Sequence, residues 1–213
     1  MKYQGIIFDL DGVICHTDQY HYQAWKQLAD KLGIYFDEKI NNRLRGVSRM
    51  ESLEIILEKS ERVYEEQEKV QFAEEKNSLY KELLKKMTPE DLSQEVKQTL
   101  EQLKKKGYKL AIGSSSKNAR FILERIGLAD FFDAISDGNN ITESKPSPEV
   151  FLKAAQYLGL EPDRCLVVED AEAGLQAAAN GSMDCAGIGE ASESELATYK
   201  LKDFKDLLSV TEG

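Results

Sequence analysis

Gly5-Ile6-Ile7-Phe8-Asp9-Leu10-Asp11-Gly12-Val13 decides how the rest of the chain is read. Its first four residues are an apolar run and predict a buried strand. Side chains alternate along a strand, so Asp9 and Asp11 lean to one side of its carboxyl end, and Gly12 lets the backbone turn there. In open α/β sheets that end is where ligands bind. Two carboxylates this close repel and raise one another's pKa unless a cation lies between them or one stays protonated. Both escapes point to chemistry. The plain alternative is an Asp-Gly turn after a strand, and the remainder of the chain decides between the two.

Downstream, residues 18–87 carry helical signals and no strand signal, as in an inserted helical module. His21, Trp25, Leu28 and Leu32 recur at helical spacing; Leu53, Ile56, Leu57 and Ser60 mark a second helix after the Gly46-Val47-Ser48 break. A long Lys/Glu-rich helix then runs to Met87, with Phe72, Lys76, Leu79, Leu83 and Met87 on one stripe. Thr88-Pro89 predicts a capped helix start. From there strand and helix alternate. Strands are expected over 108–112, 134–136, 165–168 and, as the last one, 183–188, with helices over 118–126, 148–158 and 174–179. That alternation predicts a parallel sheet covered on both faces.

The chain has 213 residues, enough for one core and a smaller second domain. Its 38 Asp and Glu against 28 Lys and Arg give a formal charge of -10, which argues against nonspecific nucleic-acid or anionic-membrane binding and leaves small ligands as the expected partners. Cys15, Cys165 and Cys185 have no metal-type spacing and read as reduced thiols. No run approaches a membrane span and the N-terminus does not read as a signal peptide, so the expected location is the cytoplasm.

Three later loops follow predicted strands and bring groups that a moving phosphoryl group needs. Gly113-Ser114-Ser115-Ser116 offers N–H groups and hydroxyls to a phosphate, although alone such a turn is an ordinary loop. In Ser144-Lys145-Pro146-Ser147-Pro148, the prolines and a helix start fix Lys145, whose alternative is a solvated loop lysine. Val167-Val168-Glu169-Asp170 ends a strand in two acids which, beside the first pair, describe a Mg²⁺ site; Asp170 alone could simply cap the next helix.

Asp9-x-Asp11 with Gly12-Val13, Ser114, Lys145-Pro146 and Glu169-Asp170 with Gly174, in this order and at successive strand ends, resemble the haloacid dehalogenase superfamily. The inserted helices resemble the cap of that superfamily's hexose-phosphate mutases, on His21 and Trp25, Arg45-Gly46-Val47-Ser48-Arg49, Ser52, Lys76-Asn77 and Ser116-Lys117-Asn118. The resemblance implies a three-layer Rossmannoid α/β core over residues 1–15 and 88–213, with an all-helical cap over 16–87.

It further implies that Asp9 is a nucleophile forming an aspartyl-phosphate and Asp11 the general acid/base. Mg²⁺ would be held by Asp9, the Asp11 carbonyl, Glu169 and Asp170, with Ser114 and Lys145 neutralising the moving phosphoryl. Arg49, Ser116, Lys117 and Asn118 would grip the other phosphate, while Gly46, Val47, Ser52, His21, Trp25 and Lys76 contribute to the substrate site. His21 would link cap closure to Asp11, and Lys76, costly on an apolar face unless it reaches an anion, would meet substrate. His16 stands where the superfamily commonly has an acid, which touches the hinge and leaves the chemical groups intact.

The implied activity interconverts β-glucose 1-phosphate and glucose 6-phosphate, with β-glucose 1,6-bisphosphate as priming intermediate, in a monomer. Its rivals are a sugar-phosphate phosphatase of the same superfamily and a non-catalytic phosphosugar-binding protein. A pure binder has no need of Asp11 or Glu169.

Overall fold

A computed structural model describes residues 2–211. Its sheet runs in the order β3-β2-β1-β4-β5-β6, and every neighbouring pair is parallel. The strands are β1 (Gly5–Phe8), β2 (Lys109–Gly113), β3 (Ala134–Ser136), β4 (Cys165–Glu169), β5 (Asp184–Gly187) and β6 (Tyr199–Lys200). β1 lies in the middle, and its apolar residues are fully buried because both faces are covered. Ile6, Phe8, Leu110, Ile112, Leu166 and Val168 enter one core cluster, while Ile7, Ala111, Cys165 and Val167 enter the other. The period-two alternation thus divides the sheet's side chains between two helical layers.

Five core helices follow: α5 (Gln94–Lys105), α6 (Ala119–Arg125), α7 (Glu149–Leu158), α8 (Glu172–Asn180) and α9 (Leu207–Val210). α5 and α6 supply Leu100, Leu103, Ile122 and Leu123 to the first cluster, and α7 and α8 supply Val150, Phe151, Leu175 and Ala178 to the second. The four helices α1 (Asp18–Leu32), α2 (Glu38–Asn42), α3 (Arg49–Leu57) and α4 (Glu66–Leu84) come between β1 and β2. They bury a third cluster around Trp25, Leu28, Leu53, Ile56 and Ala73, separate from the sheet. Tyr80 and Leu84, at the far end of α4, and Met87 just beyond it pack into the first sheet cluster instead.

Some details depart from the sequence reading. Thr88-Pro89 opens a short 3-10 turn, Pro89–Asp91, closed by a reciprocal Thr88/Asp91 cap; α5 starts later, where Ser93 Oγ accepts from Val96 N–H at 3.1 Å. The strand over 184–187 is not the last, because the two-residue β6 extends the sheet. On α4 the buried face is Ala73, Lys76, Tyr80 and Leu84, so Phe72, Leu79 and Leu83 are only partly covered. α2, a five-residue helix capped by Asp37, was too short to show periodicity.

Candidate active site

The strand register builds the site. Phe8 pairs with Ile112 on one side and Val168 on the other, so the residues that follow, Asp9, Gly113-Ser114 and Glu169-Asp170, emerge at one level of the sheet. Three central strands therefore end together, and their loops share one crevice. Two glycines permit this closeness. A Cβ on Gly12, whose φ is +86°, would stand 2.0 Å from Asp170 Oδ2, and one on Gly174 would stand 2.0 Å from Glu169 Cδ.

Lys145 is fully buried and bridges two strand ends: Nζ lies 2.5 Å from Asp9 Oδ1 and 2.6 Å from Glu169 Oε1. The solvated-lysine reading is excluded. Lys145 stands shortly before α7, with Phe151 of that helix 4.9 Å from the ammonium. Burial opposes its charge, but Asp9 and Glu169 outweigh that and hold its pKa above the ordinary value. Burial pushes Asp9 up to about 6, against the pull of Lys145. Glu169 Oε2 accepts from the N–H groups of Asp170 and Ala171 at 2.7 and 2.8 Å, which fixes the carboxylate. Burial, then the charges of Glu169 and Asp9, push Asp170 up to about 8.

Asp9, Glu169 and Asp170 each present an oxygen within 4.8 Å of the others, all buried. Hard carboxylate donors in this number, two of them raised by burial and by the charge of Glu169, fit a magnesium ion, whose charge would offset that crowding.

Asp11 faces the other way, toward the inserted helices. Its Oδ1 accepts from Thr17 Oγ, and its Oδ2 lies 4.0 Å from His21 Nε2. Burial, followed by the charges of Asp9, Asp18 and Asp170, raises its pKa well above the carboxylate range. Burial and the charges of Lys76 and Arg49 keep His21 well below its ordinary value, hence neutral. Lys76 Nζ lies 2.9 Å from His21 Nδ1, and the ring's other nitrogen, Nε2, faces Asp11. Among the described residues Lys76 forms no ion pair, although the charge of Asp11 favours its charged form. It sits 4.6 Å from the Trp25 ring centroid and 4.5 Å from that of Tyr80, and the Tyr80 ring stacks on His21 at 4.0 Å. Burial and Arg49 depress its pKa strongly.

A cleft of about 790 Å³ opens between sheet and inserted helices. Of the predicted catalytic, substrate and metal residues, only the fully buried Glu169 is missing from its wall. Gly46, Val47, Arg49 and Ser52 line it from the start of α3, where Ser48 and Glu51 form a reciprocal cap at 3.2 and 2.8 Å that stiffens the loop. Ser114, Ser116, Lys117 and Asn118 line it from the β2–α6 loop, in which Ser114 Oγ accepts from Ser116 N–H at 3.2 Å and Ser116 Oγ from Asn118 N–H at 3.1 Å. Asn118 Nδ2 donates to Asn77 Oδ1 at 2.9 Å, joining sheet domain to inserted helix α4. His16 is exposed.

Two participants escaped the sequence reading: Thr17 holds Asp11, and Tyr80 supports His21 and Lys76. Arg45 stood in the sequence only as part of the 45–49 resemblance, and its Nη2 donates to Asp170 Oδ2. Tyr80 shares the 73/76/80/84 helical face with Lys76, and that spacing was available. For Thr17 and Arg45 only the fold makes the contact.

Residues 3–181 match the family profile described as hydrolase, haloacid dehalogenase-like hydrolase. The chain is 41% identical over 206 residues to a β-phosphoglucomutase of Bacillus subtilis, covering 96% of this chain and 91% of that one. It is 30% identical to a phosphorylated carbohydrates phosphatase of Thermotoga maritima, over 85% of this chain and 82% of the other. Among solved structures, that of a β-phosphoglucomutase from Clostridium difficile superposes with a TM-score of 0.92 at 39% identity, covering 99% of this chain and 96% of that one. Strand ends that gather three carboxylates and a buried lysine, a profile match spanning most of the chain and these near full-length relatives agree: the chain belongs to the haloacid dehalogenase-like hydrolase family.

Proposed function

We propose that this protein is a phosphohexomutase that interconverts β-glucose 1-phosphate and glucose 6-phosphate through an aspartyl-phosphate on Asp9 and β-glucose 1,6-bisphosphate. The observation that carries this reading is the division of labour between the paired acids. Asp9 is held against the sheet by Lys145, while Asp11 is turned toward Thr17 and His21 of the inserted helices. That division supports a reading in which one carboxylate takes a phosphoryl group and the other handles a proton.

Asp9 attacks the phosphorus of the bisphosphate as the bond to the sugar oxygen breaks, and Asp11, kept protonated by its surroundings, gives that oxygen its proton. Asp11 then takes the proton of a β-glucose 1-phosphate hydroxyl, which attacks the aspartyl-phosphate and frees Asp9. Lys145 and Ser114 stand where the moving group's oxygens gather charge. Asp9, Glu169, Asp170 and the Asp11 carbonyl would hold Mg²⁺, which supplies further charge neutralisation when bound. Arg49, Ser116, Lys117 and Asn118 bind the phosphate that stays, and that remote binding aligns Asp11.

Residues 16–87 act as the cap over a core of 1–15 and 88–213, and closing it excludes water in favour of a sugar hydroxyl. The chain is read as working as a monomer, its cleft lined from both the inserted helices and the sheet loops. The three free, buried cysteines suit a reducing cytoplasm, and among the described residues no helix is long and apolar enough to cross a membrane.

The test supplies purified protein with β-glucose 1-phosphate, Mg²⁺ and a trace of β-glucose 1,6-bisphosphate. Glucose 6-phosphate is the expected product, and its formation stops in Asp9→Asn. An active Asp9→Asn protein overturns the mechanism, and no glucose 6-phosphate from the parent overturns the substrate assignment.

A further inference from the structure

Arg45 is the residue of the inserted helices that touches the carboxylate cluster most directly, and nothing in the reaction described above uses it. It stands at the start of the 45–49 loop, and its Nη2 donates to Oδ2 of Asp170 and lies 3.6 Å from Oδ2 of Asp18. Asp170 is almost wholly buried, and Arg45 retains about a quarter of its side-chain exposure. The loop is seated on the same segment of the core at a second point: Gly46 packs within reach of Ala171 and Ala173, and its carbonyl accepts from Ser115 Oγ at 3.4 Å. A cation is therefore carried by the cap onto one of the three carboxylates that form the metal-binding cluster.

We infer that Arg45 is a built-in counter-cation that competes with Mg²⁺ for Asp170, so that metal affinity is set in part by the inserted helices. This rests on the metal reading given above. A carboxylate oxygen that accepts from a guanidinium has less charge to offer a metal, and two cations on one carboxylate repel. The contact also links the two events. Whatever lifts the 45–49 loop off residues 170–173 strengthens metal binding, and bound metal weakens the hold of that loop by the same factor. The position calls for a long cation. Lysine keeps the charge and loses only the fork geometry, whereas glutamine at similar length removes the charge.

A unit charge within a few ångströms shifts the affinity of a carboxylate for a cation by about tenfold to a thousandfold, and the partial exposure of Arg45 places this case at the lower end, on the order of tenfold. The experiment is calorimetric titration of Mg²⁺ into the parent protein, Arg45→Gln, Arg45→Lys and Asp170→Asn, with no substrate present. Arg45→Gln is expected to bind Mg²⁺ on the order of tenfold more tightly than the parent, with Arg45→Lys within about threefold of it. Unchanged or weaker binding in Arg45→Gln overturns the inference, as does equal tightening in Arg45→Lys. Asp170→Asn separates the two readings: if the parent binds Mg²⁺ and Asp170→Asn does not, the metal site stands whatever Arg45 does. If neither binds, the metal reading itself falls. Should Arg45→Gln fail to fold, Arg45→Met read by the Mg²⁺-dependent rise in melting temperature replaces it, with the same expected direction.

Discussion

Replacing Lys145 by methionine keeps the length of the side chain and removes a cation shared by Asp9 and Glu169. In the parent the ammonium lies 2.5 and 2.6 Å from two buried carboxylates, so the variant leaves both without their partner. Breaking a buried pair in this way costs about 3–5 kcal/mol. Asp9, already raised to about 6, rises further without Lys145 and takes up a proton, which returns part of that cost below neutral pH. For a chain of this size about 1 kcal/mol moves the melting temperature by about 2–4 °C, so a fall of about 6–20 °C is expected near pH 8 in chelator, and a smaller one near pH 6. The assay is thermal unfolding of parent and variant at the two pH values. A variant within about 2 °C of the parent at both would refute the reasoning, because two buried carboxylates would then have tolerated the loss of their common cation.

Four further outcomes are expected. Asp11→Asn lowers turnover by about 10²–10⁴-fold in steady-state assays while the protein still folds, as for a lost general acid/base. Arg49→Ala lowers kcat/KM by about 10–100-fold, measured with the natural substrate, since one charge-assisted grip on a phosphate is lost. Asp9 near 6 and Asp170 near 8, against an ordinary 3.8, bind protons in the folded state that the unfolded chain has released. In chelator, stability therefore falls as pH rises from about 4 to about 8, and the stabilisation given by Mg²⁺ grows over the same interval; melting curves in chelator and in Mg²⁺ read both slopes. Gly174→Ala places a Cβ 2.0 Å from buried Glu169 and is expected to cost about 1–3 kcal/mol in urea unfolding, with weaker Mg²⁺ binding as Glu169 shifts.

The order of elements was legible because each strand is short, apolar and followed by a polar loop with a distinctive residue. Gly5–Phe8 and Cys165–Glu169 are examples, and their register then brings Asp9 beside Glu169 without further information. β6 could not be read this way: two residues, one half-buried and one exposed, carry no alternation. The buried face of α4 was misplaced by one position for a different reason. Lys76 and Tyr80 belong to it because both contact His21 of α1, so that tertiary contact outweighed the apolar stripe of Phe72, Leu79 and Leu83. Lys145 illustrates a third case. Its sequence context implied a fixed position, but that it bridges two carboxylates depends on three separate segments meeting, as does the hold of Arg45 on Asp170.

The central claim is that a phosphoryl group on Asp9 goes to a sugar hydroxyl and not to water. The most direct measurement follows glucose 6-phosphate and free phosphate together in one reaction of the purified protein with β-glucose 1-phosphate, Mg²⁺ and a trace of β-glucose 1,6-bisphosphate. Glucose 6-phosphate accumulating with almost no free phosphate is the predicted result. Free phosphate as the main product would contradict the account and make the chain a phosphatase.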